Sequence, residues 1–219
     1  MKNQENRESG YLMLLMQNAL FQGFTEEKIE STLKALKAQR KHFKKGMFVY
    51  HEGERTVKAA IVLAGSLHII KEDFWGNRSI LAEVEKGDMF AETYSCIGTE
   101  PLGVSVMANE DCECLFMDFQ QIADAQILAN IIRILASKNL FLTKKVEFVS
   151  QRTTRQKLLA YLSEEGRRKK SAEFEIPFNR QQLADFLAVE RSAMSAELSK
   201  LQKEGILEYR KNRFLLKEL

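Results

Sequence analysis

The stretch Phe178-Asn179-Arg180-Gln181-Gln182-Leu183-Ala184-Asp185-Phe186-Leu187-Ala188-Val189-Glu190-Arg191-Ser192-Ala193-Met194-Ser195-Ala196-Glu197-Leu198-Ser199-Lys200-Leu201 decides the reading of this chain. Asn179 followed three residues later by Gln182 is the capping-box spacing that opens a helix. Leu183, Ala184 and Leu187 then share one helical face, and Ala188-Val189-Glu190 breaks the pattern. Met194, Leu198 and Leu201, at spacings of four and three, are the buried stripe of a second helix. Its opposite face shows Arg191, Ser192, Ser195 and Ser199. Two short helices with a three-residue turn, the second opening on an arginine, fit a helix-turn-helix whose second helix enters the DNA major groove. An ordinary helical hairpin in a core has the same apolar spacing, so the flanking sequence has to decide.

Downstream, Gly205 to Leu216 reads as a β-hairpin turning near Lys211-Asn212, a basic wing directly after the second helix. Upstream, Phe174 to Pro177 reads as a strand and Arg167-Arg168-Lys169-Lys170 as an exposed charged loop. Gln156 to Gly166 reads as a helix, and Arg152-Thr153-Thr154-Arg155 as the hinge before this module. Residues 151–219 hold 15 Lys/Arg against 10 Asp/Glu, whereas residues 1–150 hold 18 against 20. A basic third on a near-neutral body points to nucleic acid. With the wing beside it, the hairpin reads as a DNA reader.

From Gln120 to about Gln151 the pattern is one long helix. Leu128, Ile132, Leu135, Asn139, Leu142, Val146 and Val149 follow at spacings of four and three, a heptad seam. Its single polar member, Asn139, suits the register of a two-stranded coiled coil. A second stripe, Ile127, Ile131, Ile134, Lys138, Phe141, Lys145 and Phe148, lies one residue earlier. A helix of roughly 30 residues, about 45 Å, with two apolar stripes faces both a partner helix and its own β-domain. A homodimer is expected.

Further upstream the period changes. Between His42 and Asp118, short β runs are expected at Met47–Tyr50, Ala60–Leu63, Ser66–Ile70, Ser79–Glu83, Val104–Ala108 and Cys114–Asp118. Turns are expected at Gly46, Gly53, Gly65 and Gly76-Asn77, which argues an antiparallel barrel or sandwich. A small β-barrel can also hold a metal, but only His42, His51 and His68 are present and no two are closely spaced. No metal and no catalytic constellation is expected. Residues 11–38 read as helical, with Leu12, Leu15 and Met16 as one stripe and Thr25 as a cap.

The chain has 219 residues, 45% of them hydrophobic, which is enough for real cores. It has no unbroken run of some 18 apolar residues, so no membrane span is expected. Met1 to Gly10 is polar, without an apolar signal core. Three cysteines make no disulfide framework, and a cytoplasmic location is expected.

In this order of parts the chain resembles the Crp/Fnr family of bacterial transcription regulators. The matching stretches are Gly65-Ser66-Leu67, Gly87-Asp88-Met89-Phe90-Ala91-Glu92, Asn179-Arg180-Gln181-Gln182-Leu183-Ala184 and Arg191-Ser192-Ala193. The resemblance implies an α+β fold in three parts. Residues 1–119 would hold N-terminal helices and a cyclic-nucleotide-binding-like antiparallel β-barrel of jelly-roll type. Residues 120–151 would be the long dimerisation helix, and 152–219 the winged helix-turn-helix. It also implies a DNA-binding regulator, not an enzyme, whose partners are double-stranded DNA, a second copy of itself and RNA polymerase. The alternative is a cyclic-nucleotide-like sensor module acting through protein contacts.

By that resemblance an effector pocket would be lined by Glu92, Tyr94, Leu102, Gly103 and Val104, with Leu142 and Thr143 from the long helix. Members that bind cyclic AMP carry Gly-Glu and then Arg, Ser or Thr, and Ala. Here Ala91-Glu92 replaces the first pair, and Leu102-Gly103-Val104 stands at the second set. A leucine cannot supply the charge-assisted bonds that offset desolvation of a phosphate. Tight binding of cyclic AMP is therefore not expected; an unknown small-molecule effector or a redox signal takes its place. No cofactor is evident: members with an iron–sulfur cluster use four cysteines, and this chain has three. Nothing local supports His51, His68 or Cys96 as a haem ligand. Cys112 and Cys114, two apart in a strand, would share one face.

At the DNA end the resemblance makes Arg191 the first base reader, able to bond guanine O6 and N7. Ser192 stands where a glutamate reader is found, and Ala196 where many members carry an arginine. Ser192 and Ser195 join Arg191 as expected base readers. Arg180, Gln181, Lys200, Lys211 and Arg213 are expected on phosphates, which position the protein and carry salt-dependent affinity.

Overall fold

Alternation along one strand shows how the N-terminal part is built. In β3 (Lys58–Ala64), Ala59, Ile61 and Leu63 enter one core while Ala60 and Val62 enter another. The structure is a computed structural model that describes residues 2–72, 75 and 78–217, the side chains of 2–9, 78 and 79 aside. The turn expected at Gly76-Asn77 falls outside the described residues.

Eight strands form two four-stranded antiparallel sheets. One is ordered β1 (Gln39–Phe43), β8 (Cys112–Asp118), β3, β6 (Met89–Phe90). The other is ordered β2 (Phe48–Tyr50), β7 (Ser105–Ala108), β4 (Leu67–Glu72), β5 (Arg78–Val84). The expected antiparallel fold is thus a double-sheet jelly roll of two separate ladders. Ala60, Val62, Leu67, Val106, Cys114 and Phe116 fill the space between the sheets. The outer face of β3 and β8 packs on α1 (Lys2–Gln17), α2 (Glu26–Ala35) and the start of α4 (Ala125–Val149). Gly65 turns the chain between β3 and β4 at φ +76°, and a Cβ there would lie 2.5 Å from the Asp111 carbonyl oxygen. Only glycine fits.

Two helix starts and three short elements differ from the sequence reading. The first helix begins at Lys2 and not at residue 11, and α2 opens on Thr25 as expected. Strands β1 and β6 and the short helix α3 (Glu92–Ile97) were not anticipated. They are brief or polar, so periodicity does not reveal them. The long helix begins at Ala125, because two aspartates stop the chain first. Asp118 accepts from Gln120 N–H at 3.0 Å to hold a 3-10 turn, and Asp124 accepts from Gln126 N–H at 2.8 Å to start α4.

The chain divides into two units, Met1–Leu135 and Ala136–Leu219. In the first, Ile127 and Ile131 are buried, Ile134 and Leu135 pack against the same core, and buried Asn130 donates to the Leu20 carbonyl at 2.9 Å. In the second, Phe148 is buried and Phe141 meets the Phe186 ring at 5.9 Å. The earlier stripe is therefore the more buried one, although Lys138 and Phe141 in its middle are exposed. Of the seam, Leu128, Ile132, Asn139, Leu142 and Val146 are exposed, whereas Leu135 and Val149 are half-buried. By length and composition α4 is apolar enough to cross a membrane, with a mean hydropathy of 1.2.

The second unit continues with α5 (Thr154–Lys169), β9 (Glu173–Glu175), α6 (Arg180–Phe186), α7 (Arg191–Lys203) and the hairpin β10 (Leu207–Arg210) and β11 (Arg213–Leu216). Helix α5 runs through the Arg167-Arg168-Lys169 segment expected as a loop. Arg167 pairs with Glu164, and Arg168 with Glu165 at 2.7 Å, one turn apart. Basic residues in a last turn also suit the helix dipole. Leu158, Leu162, Leu183, Met194, Leu198, Leu207 and Phe214 share one core.

Candidate nucleic-acid interface

Helix α6 starts as the sequence requires. Gln182 N–H donates to Asn179 Oδ1 at 3.0 Å, and Asn179 N–H donates to Gln182 Oε1 at 2.9 Å. Such a cap contributes about 1 kcal/mol. The turn passes through Ala188 at φ +50°, and Lys157 Nζ donates to the carbonyls of Leu187 at 3.2 Å and Ala188 at 3.3 Å. Glu190 then caps α7, accepting from Ala193 N–H at 2.8 Å. Glutamate is not among the favoured N-cap residues, which is why the sequence reading left it as a plain turn residue. The Ser192 hydroxyl, the Ala193 N–H and the Ser192 N–H hold its carboxyl below the ordinary range.

The underside of α7 is anchored by Met194, Leu198 and Leu201, each fully buried. Arg155 pins it from the side, reaching Glu197 at 3.2 Å and Glu204 by two guanidinium nitrogens. The outer face carries exposed Arg191 and Ser192 and half-buried Ser195. Arg191 lines a groove of ≈ 590 Å³ together with Arg180, Gln181, Lys211, Asn179 and Asn212. The groove runs from the start of α6 to the wing turn, and the expected base reader and three expected phosphate residues meet in it. Ser192, Ser195, Lys200 and Arg213 lie outside that lining.

Three expected phosphate residues are engaged within the protein. The Arg180 guanidinium sits 4.7 Å from the Tyr209 ring centroid and 5.3 Å from that of Phe214. Its Nη2 is buried without a hydrogen-bond partner, and burial pushes the guanidinium below its usual value. Arg180 fastens α6 to the wing by cation–π contact. Arg213 pairs with Glu173 at 2.8 Å across the sheet. The hairpin register, Tyr209 opposite Phe214, carried the missing signal: it puts two rings on one face beside α6. Gln181 bonds Asp185 at 2.8 Å, whereas Lys200 and Lys211 are exposed.

In the first unit the effector residues are mostly tied down. Leu102 is only 2% exposed, and its N–H and C=O bond Glu54 and Gly53, each at 2.7 Å. Gly103 N–H donates to the Tyr94 hydroxyl at 3.2 Å, and its carbonyl accepts from Lys71 at 2.9 Å. Lys71 also pairs with Glu52. Glu92 is buried at the start of α3, after Ala91 at φ +60°. Val104 is half-buried. Leu142 and Thr143 stand exposed in the second unit, the Thr143 hydroxyl donating to the Asn139 carbonyl at 2.9 Å.

The histidines are spread out. His42 lies 3.7 Å from Glu113, His51 stacks on Phe48, and His68 lies 4.0 Å from Glu83. Cys112 and Cys114 are buried together between the sheets, and burial pushes both thiols up. A protonated thiol is a poor nucleophile and metal ligand. Cys96 is exposed, its thiol also raised by burial and by Glu92.

The family described as the cyclic nucleotide-binding domain matches residues 40–126, and the Crp-like helix-turn-helix domain matches residues 156–219. The search of curated proteins found no match. Among solved structures, the chain is similar to a mutant of CooA from Carboxydothermus hydrogenoformans at 19% identity, covering 90% of this chain and 88% of that one with a TM-score of 0.59. The c-di-GMP responsive global regulator CLP of Xanthomonas campestris gives 20%, 87%, 100% and 0.56 in the same order. CprK complexed with OCPA gives 16%, 87%, 91% and 0.67. At such identities these likenesses carry the fold alone.

Proposed function

Because the chain belongs to the Crp/Fnr family of transcription regulators, we propose that it works as a homodimer reading a palindromic DNA site under a signal received in its β-sandwich. The family places a DNA-binding domain behind an effector-type domain; the dimer, the signal and the contacts are this reading's own. The observation that carries it is Arg191, exposed at the first turn of α7 and sharing one groove with Lys211 of the wing. A guanidinium there is free to bond guanine O6 and N7, and Lys211 to meet a phosphate. Ser192 and Ser195 flank the reader, while Gln181 and Lys200 add backbone contacts. Arg180 and Arg213 act by shaping the wing.

The dimer is supported by what α4 leaves in solvent. Leu128 is 46% exposed, Ile132 65%, Leu142 57% and Val146 62%. A second α4 with the same seam removes those side chains from water, each fully buried one contributing about 1.5–3 kcal/mol. Two reading helices then address half-sites about 34 Å apart. The signal acts by favouring the DNA-competent arrangement. It is not cyclic AMP, since buried Leu102 occupies the place of the phosphate-binding arginine and offers no charge. We place the protein in the cytoplasm, in contact with RNA polymerase, and assign it no reaction.

The test is a footprint of the full-length protein on its own upstream region, with cell extract supplying the signal. Arg191→Ala is expected to weaken specific binding about 10- to 100-fold, as the loss of a bidentate base contact does, with the melting temperature unchanged. Added cyclic AMP is expected to leave the footprint as it is. An Arg191→Ala protein that protects the same bases as strongly as the wild type overturns the assignment.

A further inference from the structure

The protons at the start of α7 are accounted for. Ser192 Oγ bonds the Glu190 carboxylate, which can only accept, so the serine donates. Ser195 Oγ lies 2.9 Å from the Arg191 carbonyl oxygen, again an acceptor, so it donates too. A serine hydroxyl has one proton and two lone pairs, and both protons are spent inside the helix. What Ser192 and Ser195 turn outward is lone pairs alone. A free serine serves either kind of base edge, accepting from an amino group or donating to a carbonyl. These two have lost the second choice: turning the Ser192 proton outward breaks a bond to a charged oxygen, stronger than a neutral one. Glu190 extends the same surface, because its carboxylate has about four lone-pair sites and the Ser192 hydroxyl, the Ala193 N–H and the Ser192 N–H use three at most. Beside this acceptor patch, Arg191 is all donor.

We propose that α7 reads a guanine through Arg191 and, next to it, two bases that each present a major-groove amino group, adenine N6 or cytosine N4, one through Ser192 and one through Ser195. This rests on the DNA-reading role proposed above and supplies its specificity. It replaces the loose preference expected of two serines with a definite one, adenine or cytosine against guanine or thymine on the strand they face.

The test is selection from a randomised duplex pool by the full-length protein, with cell extract supplying its signal. The expected motif carries guanine and, at neighbouring positions on one strand, adenine or cytosine. Ser192→Ala and Ser195→Ala are each expected to keep the guanine and lose the preference at one position. Both are exposed or half-exposed helix positions where alanine is well tolerated, and equal melting temperatures confirm the fold. Replacing the selected adenine by purine, which lacks the N6 amino group, is expected to weaken the wild type about three- to tenfold, one hydrogen bond's worth, and to leave the matching alanine variant unchanged. A motif with guanine or thymine at those positions, or a preference that survives in both variants, overturns the inference while leaving the DNA reader in place. No motif at all overturns the reader itself, and the inference falls with it.

Discussion

Two helix starts in this chain face opposite fates. At α3 in the first unit, Glu92 is buried, the Tyr94 hydroxyl closes on Gly103 N–H, and Lys71 closes on Gly103 and Glu52. At α7 in the second, the cap is closed by Glu190 but Arg191 points to solvent with Lys211 across the groove. Polar groups that satisfy one another hold a shape; groups left open are available to a partner. The contrast explains why the reading end is legible as chemistry whereas the sensing end is legible mainly as architecture.

The comparison can be broken most forcefully from below. The outer face of α7 is only as well placed as its underside, so Leu198→Ala, which empties a fully buried site, is expected to cost about 2–5 kcal/mol. Chemical denaturation followed by a probe in the second unit measures it; a loss under 1 kcal/mol would mean that α7 is not held by that core. A milder cut opens the closed end. Tyr94→Phe removes the acceptor of Gly103 N–H and is expected to cost about 0.5–1.5 kcal/mol in the first unit. If it costs nothing, the contact with Gly103 does not hold that loop.

Acid gives the smallest effect. Glu164 is held below the ordinary value of 4.5 by hydrogen bonds from Lys144 and Arg167, and Glu204 by Arg155. Their folded values are depressed, so their contribution is complete above about pH 4.5 and disappears as pH falls through the lower folded values. In the first unit Asp111, held down by Lys44, acts in the same sense below its ordinary 3.8. Glu204 and Asp111 are exposed, and half-buried Glu164 pairs with exposed Arg167, so the loss is small and salt-sensitive. Melting curves between pH 3 and 6 are expected to show the second unit weakening first on acidification; stability that rises there would contradict these pairings.

Much of the second unit could be read from residues in a row. The Asn179–Gln182 capping box, the Met194–Leu198–Leu201 stripe and the hairpin turn at Lys211-Asn212 are local patterns, and each appears where expected. The limits of α4 were less legible, because Asp118 and Asp124 interrupt an otherwise apolar run through side chains that bond their own backbone. The base-reading, phosphate, effector and seam residues remain assignments for experiment, and geometry adds where each of them stands.

By itself the sequence determined the order of parts, two antiparallel-sheet and helix-turn-helix modules flanking a long helix, because periodicity and caps act over a few residues. It also determined that Arg191 opens the second helix of the helix-turn-helix. Only tertiary structure decided that Arg180 is stacked on Tyr209 and Phe214, that Arg213 answers Glu173, and that Leu102 is sealed by Gly53 and Glu54. These contacts join residues far apart in the chain, and no local pattern records which distant group will spend a side chain's charge or proton. The proton of Ser192 shows how short that distance can be. Glu190 lies two residues away, yet its role emerges only once α7 is seen to start on it.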